Sequence, residues 1–555
     1  MVRRVIQFIG REITGLHEAA YLLALFAFLS QILALVRDRL LASQFGASHL
    51  LDVYYAAFRI PDFIFVIISA LVSISVLIPF LVRVIEKDKE HVKDFVDSVF
   101  SGFVILILIL VGVTLIFTDD ILRKIFPEII NGEYGKELVT ITYIMLLQPI
   151  FLGLSGLFSS FIQVYKKFFI YALSPILYNL GIIIGIYFFY PLYGLQGMVW
   201  GVVLGAILHL LIQVPSVINK GIFPRFTFKI KWNYLKDVLK LSLPRTVALT
   251  SSQISLIVLV ALAGAMITGS ISVFTFSFNL QSVPLAIIGV SYSLAAFPTL
   301  SRLYANGDIE NFLNHIVKAA RHIIFWSIPV TVMFIVLRAQ IVRSILGAGE
   351  FSWDDTRLTA AALAVFAVSV VAQSLILLFV RGYYSAGETK KPLIFTTISL
   401  ALTILSAYFF VDYFSNHETF RFFFEDLLRV ENISGTVVLM LPLAFSLGQI
   451  LNAALLWFSF DKQYGCLSRE LWRTAVHSLA ASVVAGYVSF GMLRILDDVF
   501  NLETLIGVFM QGFVSGILGL SVAAIILYMI GNREIRIVWE TLHKKIWRTR
   551  FIGGE

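Results

Sequence analysis

Cysteine occurs once in the 555 residues, at Cys466, so no intramolecular disulfide can form and a thiolate metal site has no basis. Charge is also scarce: Asp, Glu, Lys and Arg make up 14% of the chain, against 59% hydrophobic residues. A soluble domain carries about 25% charged residues, so a soluble globular chain is excluded. The nine histidines are scattered and form no His-Glu-x-x-His pair. A Gly-x-x-x-x-Gly-Lys-Ser/Thr phosphate loop and a Gly-x-Ser-x-Gly elbow are both missing, so enzyme chemistry has no support and no cofactor is expected. Without a nucleotide site, uphill transport has to draw on an ion gradient, the membrane potential or the substrate gradient. The start of the chain carries Arg3, Arg4 and Arg11 in an amphipathic pattern with no small-residue cleavage site, so it does not read as a cleavable signal peptide.

What the chain does have is apolar runs from end to end, with a mean hydropathy of +0.88. Runs of about 18 residues or more can cross a hydrocarbon core of roughly 30 Å. In lipid the backbone must satisfy its own hydrogen bonds, so these runs should be helices. The pattern predicts an all-α polytopic membrane protein with about fourteen transmembrane helices. The first six are expected near 18–43, 50–82, 94–118, 137–164, 168–190 and 194–216. The next six fall near 238–267, 271–300, 312–337, 357–386, 392–411 and 435–460, and the last two near 472–493 and 504–530. Residues 218–237 read as a basic interfacial linker, and residues 531–555 as a basic amphipathic tail suited to an anionic leaflet.

The net charge of +8 collects in loops, which suits anionic lipid better than nucleic acid. The ends and the loops after even-numbered spans hold Arg83, Lys87, Lys89, Lys93, Lys166, Lys167, Lys220, Arg225, Lys390, Lys391 and Lys462. The opposite loops hold about a third as many cations, so both termini should be cytoplasmic. An internal repeat also runs through the chain at offsets near 220 residues. Ser30-Gln31-Ile32 returns as Ser252-Gln253-Ile254, Pro61 as Pro284, Pro79 with Arg83 as Pro298 with Arg302, and Lys166-Lys167 as Lys390-Lys391. Six spans is an even number, so the repeat predicts two six-helix lobes related by a pseudo-twofold axis along the membrane normal. The expected divisions are an N-lobe over 1–217, the linker 218–237, a C-lobe over 238–460, a helix pair over 461–530 and the tail 531–555.

Ionisable groups among apolar spans are costly and normally face a polar cavity or a partner. The first two spans hold Arg37, Asp38, Arg39, Asp52, Arg59 and Asp62. Arg37 and Arg59 are candidate donors to an anionic phosphate group, with Asp38 and Asp52 orienting or neutralising them. The alternative is a structural set of ion pairs, Asp52, Arg59 and Asp62 sharing one helical face. Pro61, Pro79, Pro284 and Pro298 are candidate hinges, since proline inside a helix kinks it. Gly197, Gly201 and Gly205, like Gly512 and Gly516, have the spacing of close helix-packing faces. His209 reads as an interhelical hydrogen-bonding residue.

Val36-Arg37-Asp38, Phe45-Gly46-Ala47, Asp52 and Ala57-Phe58-Arg59-Ile60-Pro61 resemble the opening signature of the MurJ (MviN) family, bacterial lipid II flippases of the MOP exporter superfamily. Further similarity lies in Ser174-Pro175 with Asn179, Gly201 to Gly205, Pro244-Arg245-Thr246, Gly349-Glu350-Phe351 and Arg381 to Ala386 before Thr389 and Pro392. The resemblance implies two six-helix lobes around a cavity, two C-terminal helices forming a groove for the lipid tail, and a polyprenyl-diphosphate-linked saccharide as substrate. It also implies a place in peptidoglycan synthesis at the bacterial cytoplasmic membrane. The chain departs from the pattern at Gln31, Phe65, Val66 and Asn279, where the family has arginines, and at Leu259, where some relatives carry an acid used for sodium. Fewer cations are then left to hold a diphosphate, and sodium coupling is not implied. Two other readings stay open: an exporter of another lipid-linked glycan or small amphiphile, and a non-transporting scaffold that partners cell-wall synthesis proteins.

Overall fold

A computed structural model describes residues 16–71, 92–165, 167–219, 223–465 and 467–548. Pro79, Arg83, Lys87, Lys89, Lys166, Lys220 and Cys466 lie outside the described residues. No strand occurs among those described. Among the described residues, ten helical segments are long and apolar enough to cross a membrane, or eleven if the bent pair Trp353–Ala367 and Val370–Ser385 (42°) is one span. The protein is an all-α polytopic membrane protein.

The chain divides into two compact units. The first is Met1–Ser272 with Ala348–Phe351, and the second is Val273–Gly347 with Ser352–Glu555. In the first unit lie α1 (Leu16–Phe45), α2 (His49–Ala57), α3 (Arg59–Leu71), α4 (Val92–Ile125), α5 (Gly135–Met145) and α6 (Gln148–Val164). They are followed by α7 (Phe168–Ile184), α8 (Tyr190–Leu211) and α9 (Trp232–Gly264). Helix α10 (Ser270–Pro284) begins in this unit. The second unit holds α11 (Ser291–Ala305), α12 (Ile309–Val336), α13 (Arg338–Ile345), α14 (Trp353–Ala367), α15 (Val370–Ser385) and α16 (Lys390–Asn416). It ends with α17 (Met440–Tyr464), α18 (Leu467–Ile495), α19 (Leu505–Met529) and α20 (Arg533–Arg548).

The segment Phe168–Ile218 is one of the ten but spans 51 residues and contains both the expected fifth and sixth spans. Helices α1 and α9, of 30 and 33 residues, stand at the positions of the expected first and seventh spans. At about 1.5 Å per residue each is long enough for a core of roughly 30 Å. Among the described residues, each expected span therefore has a helix at its position, the second as far as Leu71.

In the first unit α7 and α8 run antiparallel and touch through glycine. A Cβ on Gly181 would stand 2.3 Å from the Cα of Gly205, and one on Gly201 would stand 2.3 Å from the Cα of Gly185. Two backbones approach this closely only where side chains are missing, which is the use made of Gly201 and Gly205. A buried polar set ties the same helices to α6. Ser155 Oγ hydrogen bonds His209 Nδ1 at 2.7 Å, and Gln213 Nε2 donates to Ser155 Oγ at 2.6 Å and Ser174 Oγ at 3.2 Å. His209 is thus an interhelical bonding residue. Residues 223–231 are stitched to the start of α4: Arg225 N donates to Asp97 Oδ1 (2.7 Å), Thr227 N to Ser101 Oγ (2.8 Å), and Lys231 pairs with Asp94 (2.8 Å). Packing places α9 with α3 and α4, in the first unit.

In the second unit α11, α12, α15 and α17 enclose a core of Leu300, Phe312, Ile316, Ile323, Phe379, Tyr383 and Phe460. The α18–α19 pair packs on α12 around Phe325, Met333, Ala485 and Ala523. Proline marks the irregular points. The α2–α3 helix breaks at Phe58, three residues before the buried Pro61, and α10 ends at Pro284, followed by a π turn over Leu285–Val290. Pro298 lies inside α11.

The glycine contact makes a direct prediction. Gly201→Ala should lower stability by about 1–3 kcal/mol through overpacking. Gly156→Ala, whose added Cβ meets nothing within 4 Å, should melt like the parent. Thermal unfolding midpoints of the two variants in detergent decide it; equal midpoints would contradict the close contact.

Candidate functional site

The first hairpin is set by local sequence. Helix α1 closes at Phe45 because Gly46 takes φ = 60°, and the Gly46 amide still reaches Ala42 O at 2.8 Å. Two residues on, Ser48 caps α2 by accepting from the Leu51 amide at 3.4 Å. Such a tight turn brings the last turns of α1 beside α2. The segment carrying Gly349-Glu350-Phe351 docks on α1, with the Glu350 amide donating to Ser43 O at 2.9 Å.

Arg37 and Asp38 form a pair near the end of α1. Arg37 Nε and Nη2 both donate to Asp38 Oδ1, at 2.9 and 2.8 Å. Asp38 is 2% exposed, whereas the Arg37 side chain keeps 21% of its surface. The third guanidinium nitrogen, Nη1, donates to Asn179 Oδ1 on α7 at 3.2 Å. Asn179 in turn donates from Nδ2 to Pro175 O (3.1 Å) and Ser30 Oγ (3.4 Å). Residues of α1 and α7 therefore fix one planar cation between them. Its orientation is set before any ligand arrives, and the side chain keeps about a fifth of its surface accessible.

Arg59 is half-buried at the first residue of α3, within electrostatic reach of Asp62 one turn further on. Asp62 Oδ1 accepts from Gln148 Nε2, at the start of α6, at 3.3 Å. Tyr55, buried on α2, lies within electrostatic reach of both Arg37 and Arg59. Tyr54 and Tyr178 are within reach of Arg37 and Asp62. Arg37, Asp38, Arg59 and Asp62 thus lie within electrostatic reach of a common set of tyrosines, Tyr54, Tyr55 and Tyr178.

Asp52 stands apart from these groups. It is 4% exposed, and its carboxylate accepts three hydrogen bonds from the start of α10. Gly269 N donates to Oδ2 at 2.6 Å, and Ser272 N and Oγ donate to Oδ1 at 2.7 and 2.6 Å. An anion at a helix N-terminus satisfies orphan amides and opposes the positive end of the helix dipole. Gly269 is required there: its φ is 90°, and a Cβ would stand 2.4 Å from Ala47 O. Asp52, Arg59 and Asp62 stand on one nearly continuous helix, but Asp52 has its own partners at the start of α10, whereas Arg59 and Asp62 face each other.

Sequence reasoning did not reach Gln148, Tyr54, Tyr55 or Tyr178 as neighbours of these charges. A polar side chain beside a proline (Gln148-Pro149) and a tyrosine pair flanked by charges are the signals that carried it. Of the positions where the chain departs from the family pattern, Leu259 is fully buried, while Gln31, Phe65, Val66 and Asn279 are half-buried.

A family model described as "Lipid II flippase MurJ" matches residues 41–510. Asp52 and Arg59 lie inside that stretch, and Arg37 and Asp38 just ahead of it. A probable lipid II flippase MurJ from Buchnera aphidicola subsp. Schizaphis graminum is 30% identical over 398 residues, covering 70% of this chain and 76% of the relative. The lipid II flippase MurJ of Burkholderia cenocepacia is 25% identical over 394 residues, covering 70% and 76%. Among solved structures, a lipid II flippase MurJ in an inward closed conformation superposes with a TM-score of 0.73 at 24% identity, covering 92% of this chain and 99% of that one. An inward-facing MATE transporter of the MOP superfamily gives 0.62 at 15% identity, covering 81% and 99%. The fold is that of these transporters, and by the match over residues 41–510 the chain belongs to the lipid II flippase MurJ family.

Proposed function

We propose that this chain is a flippase that moves lipid II, a polyprenyl-diphosphate-linked saccharide, from the inner to the outer leaflet of the bacterial cytoplasmic membrane. Membership of the family carries the substrate class. The observation that carries the site is the guanidinium of Arg37, oriented by Asp38 and Asn179 yet still accessible. A diphosphate presents paired oxygens that match such a fork. Arg37, Asp38 and Arg59 would receive the headgroup. Asp52 belongs to the same site as a positioning residue, holding the start of α10 beside the hairpin.

The protein acts as a transporter rather than an enzyme, by alternating access. Hinges at Pro61, Pro284 and Pro298 are supported by the break at Phe58, the π turn after Pro284 and the proline inside α11. Pro79 completes the set by repeat position. The repeat halves 1–217 and 238–460 are the proposed lobes. The polyprenyl chain would stay in lipid beside α18 and α19, whose outer faces expose Tyr487 (80%), Val483 (58%) and Phe513 (51%). Both termini are proposed to be cytoplasmic. The basic residues gathered at the ends and in the loops after even-numbered spans support this. A second reading, export of a different lipid-linked glycan, is favoured by Gln31, Phe65, Val66 and Asn279 standing in place of arginines.

Two substitutions separate binding from architecture. Arg37→Lys, which keeps a cation beside Asp38 but lacks the planar fork, should lose most rescue of flippase-depleted cells with membrane protein levels unchanged, and Arg37→Ala should abolish rescue with lowered levels, since it strands the buried Asp38. Full rescue by Arg37→Ala would remove Arg37 from the site. Asp52→Ala strands three donors and should cost about 1–3 kcal/mol in thermal stability, with Ser272→Ala costing less. An Asp52→Ala protein that melts like the parent would show that the cap contributes nothing.

A further inference from the structure

A buried ion pair between Arg321 and Glu534 has no part in the transport reading. Glu534 Oε1 stands 2.5 Å from Arg321 Nη2 on α12, and the two side chains keep 4% and 16% of their surface. Helix α20 is held by more than this pair. Asn532, itself buried, accepts from the amides of Glu534 (2.9 Å) and Ile535 (3.2 Å), which fixes where the helix starts. Ile535 and Val538 pack against the cluster containing Phe325, Met333 and Leu527. All of these groups belong to the second unit.

The pair changes the charge that α20 presents. Its sequence carries Arg533, Arg536, Lys544, Lys545 and Arg548 against two acids, Glu534 and Glu540. Glu534 is turned inward and neutralised by Arg321, so Glu540 is the acid left on the exposed side. Arg533 and Arg536 are exposed, as is Lys318 one turn before Arg321, and Trp539 beside them is 62% exposed. Only residues 530–532 separate α20 from the end of α19. A three-residue link reaches about 10 Å, which keeps α20 at the headgroup layer where the last span leaves the apolar core.

We propose that α20 is a built-in receptor for the anionic phospholipid headgroups of the surrounding bilayer. The Arg321–Glu534 clamp holds its basic face at a fixed place on α12. Charge complementarity selects the occupant: the exposed cations Arg533, Arg536 and Lys318, one of the two acids of α20 hidden, and an exposed tryptophan. This inference does not depend on the identity of the transported substrate.

The test uses the full-length protein in phosphatidylcholine bilayers with trace spin-labelled phosphatidylglycerol or phosphatidylcholine. It reads the fraction of each label immobilised at the protein. The expected preference for phosphatidylglycerol is about twofold or more at low salt. It should fall towards parity at about 1 M salt, where the Debye length is about 3 Å. Replacing Arg533, Arg536, Lys544, Lys545 and Arg548 with Gln should remove the preference, and Glu540→Gln should raise it. Excess inorganic diphosphate should leave it intact. Equal immobilisation of both lipids by the parent protein, a preference insensitive to salt, or one retained after the Gln replacements would overturn the proposal. So would loss of the preference to diphosphate, which would make this a site for free phosphate groups.

Discussion

A charge placed among apolar helices has to be met by other groups of the chain, and the first unit is arranged around that requirement. Arg37 is met by Asp38 and Asn179, Asp62 by Gln148, and Asp52 by two amides and a hydroxyl at the start of α10. Each pairing fixes a helix relative to another: α1 to α7, α3 to α6, and α2 to the first turn of α10. Breaking one partner would leave an uncompensated buried charge, which costs far more than the pair itself contributes. The same groups that supply a binding chemistry thus also fix the geometry in which it operates.

Two kinds of polar contact do different work here. Asp52 is saturated, with its oxygens engaged and 4% exposed, so it acts through the segment it holds. Arg37 is oriented but not fully enclosed, its side chain keeping 21% of its surface. The Arg321–Glu534 pair in the second unit is closed in the same way as Asp52, and its effect is to turn an acid away from the exposed surface of α20.

Much of this was legible in the sequence. Apolar runs located the spanning helices, because satisfying the backbone in lipid leaves little alternative to a helix. Gly197, Gly201 and Gly205 announced a close contact by spacing alone; their partners Gly181 and Gly185 needed coordinates, since spacing on one helix says nothing of which helix it meets. Arg37 and Asp38 were legible as a pair because adjacent opposite charges in an apolar run offset each other's desolvation cost. The role of Asp52 was not. Its partners are 217 and 220 residues away and two of its three bonds go to backbone amides, which leave no trace in residue type. Periodicity likewise put Asp52 and Arg59 on one face, but says nothing of the different partners that the two residues meet. Tyr54, Tyr55 and Tyr178 were hidden because an aromatic residue in a membrane helix is as ordinary in a core as in a site.

The account stands on Arg37 as the group that grips the headgroup during translocation. Its most direct test is transport of fluorescent lipid II in proteoliposomes, followed by the fraction of label that becomes reachable by a membrane-impermeant quencher. The parent protein should raise that fraction above protein-free vesicles, and Arg37→Ala reconstituted at equal density should leave it at the protein-free level. Equal transport by both proteins, or no movement of lipid II by the parent, would contradict the account.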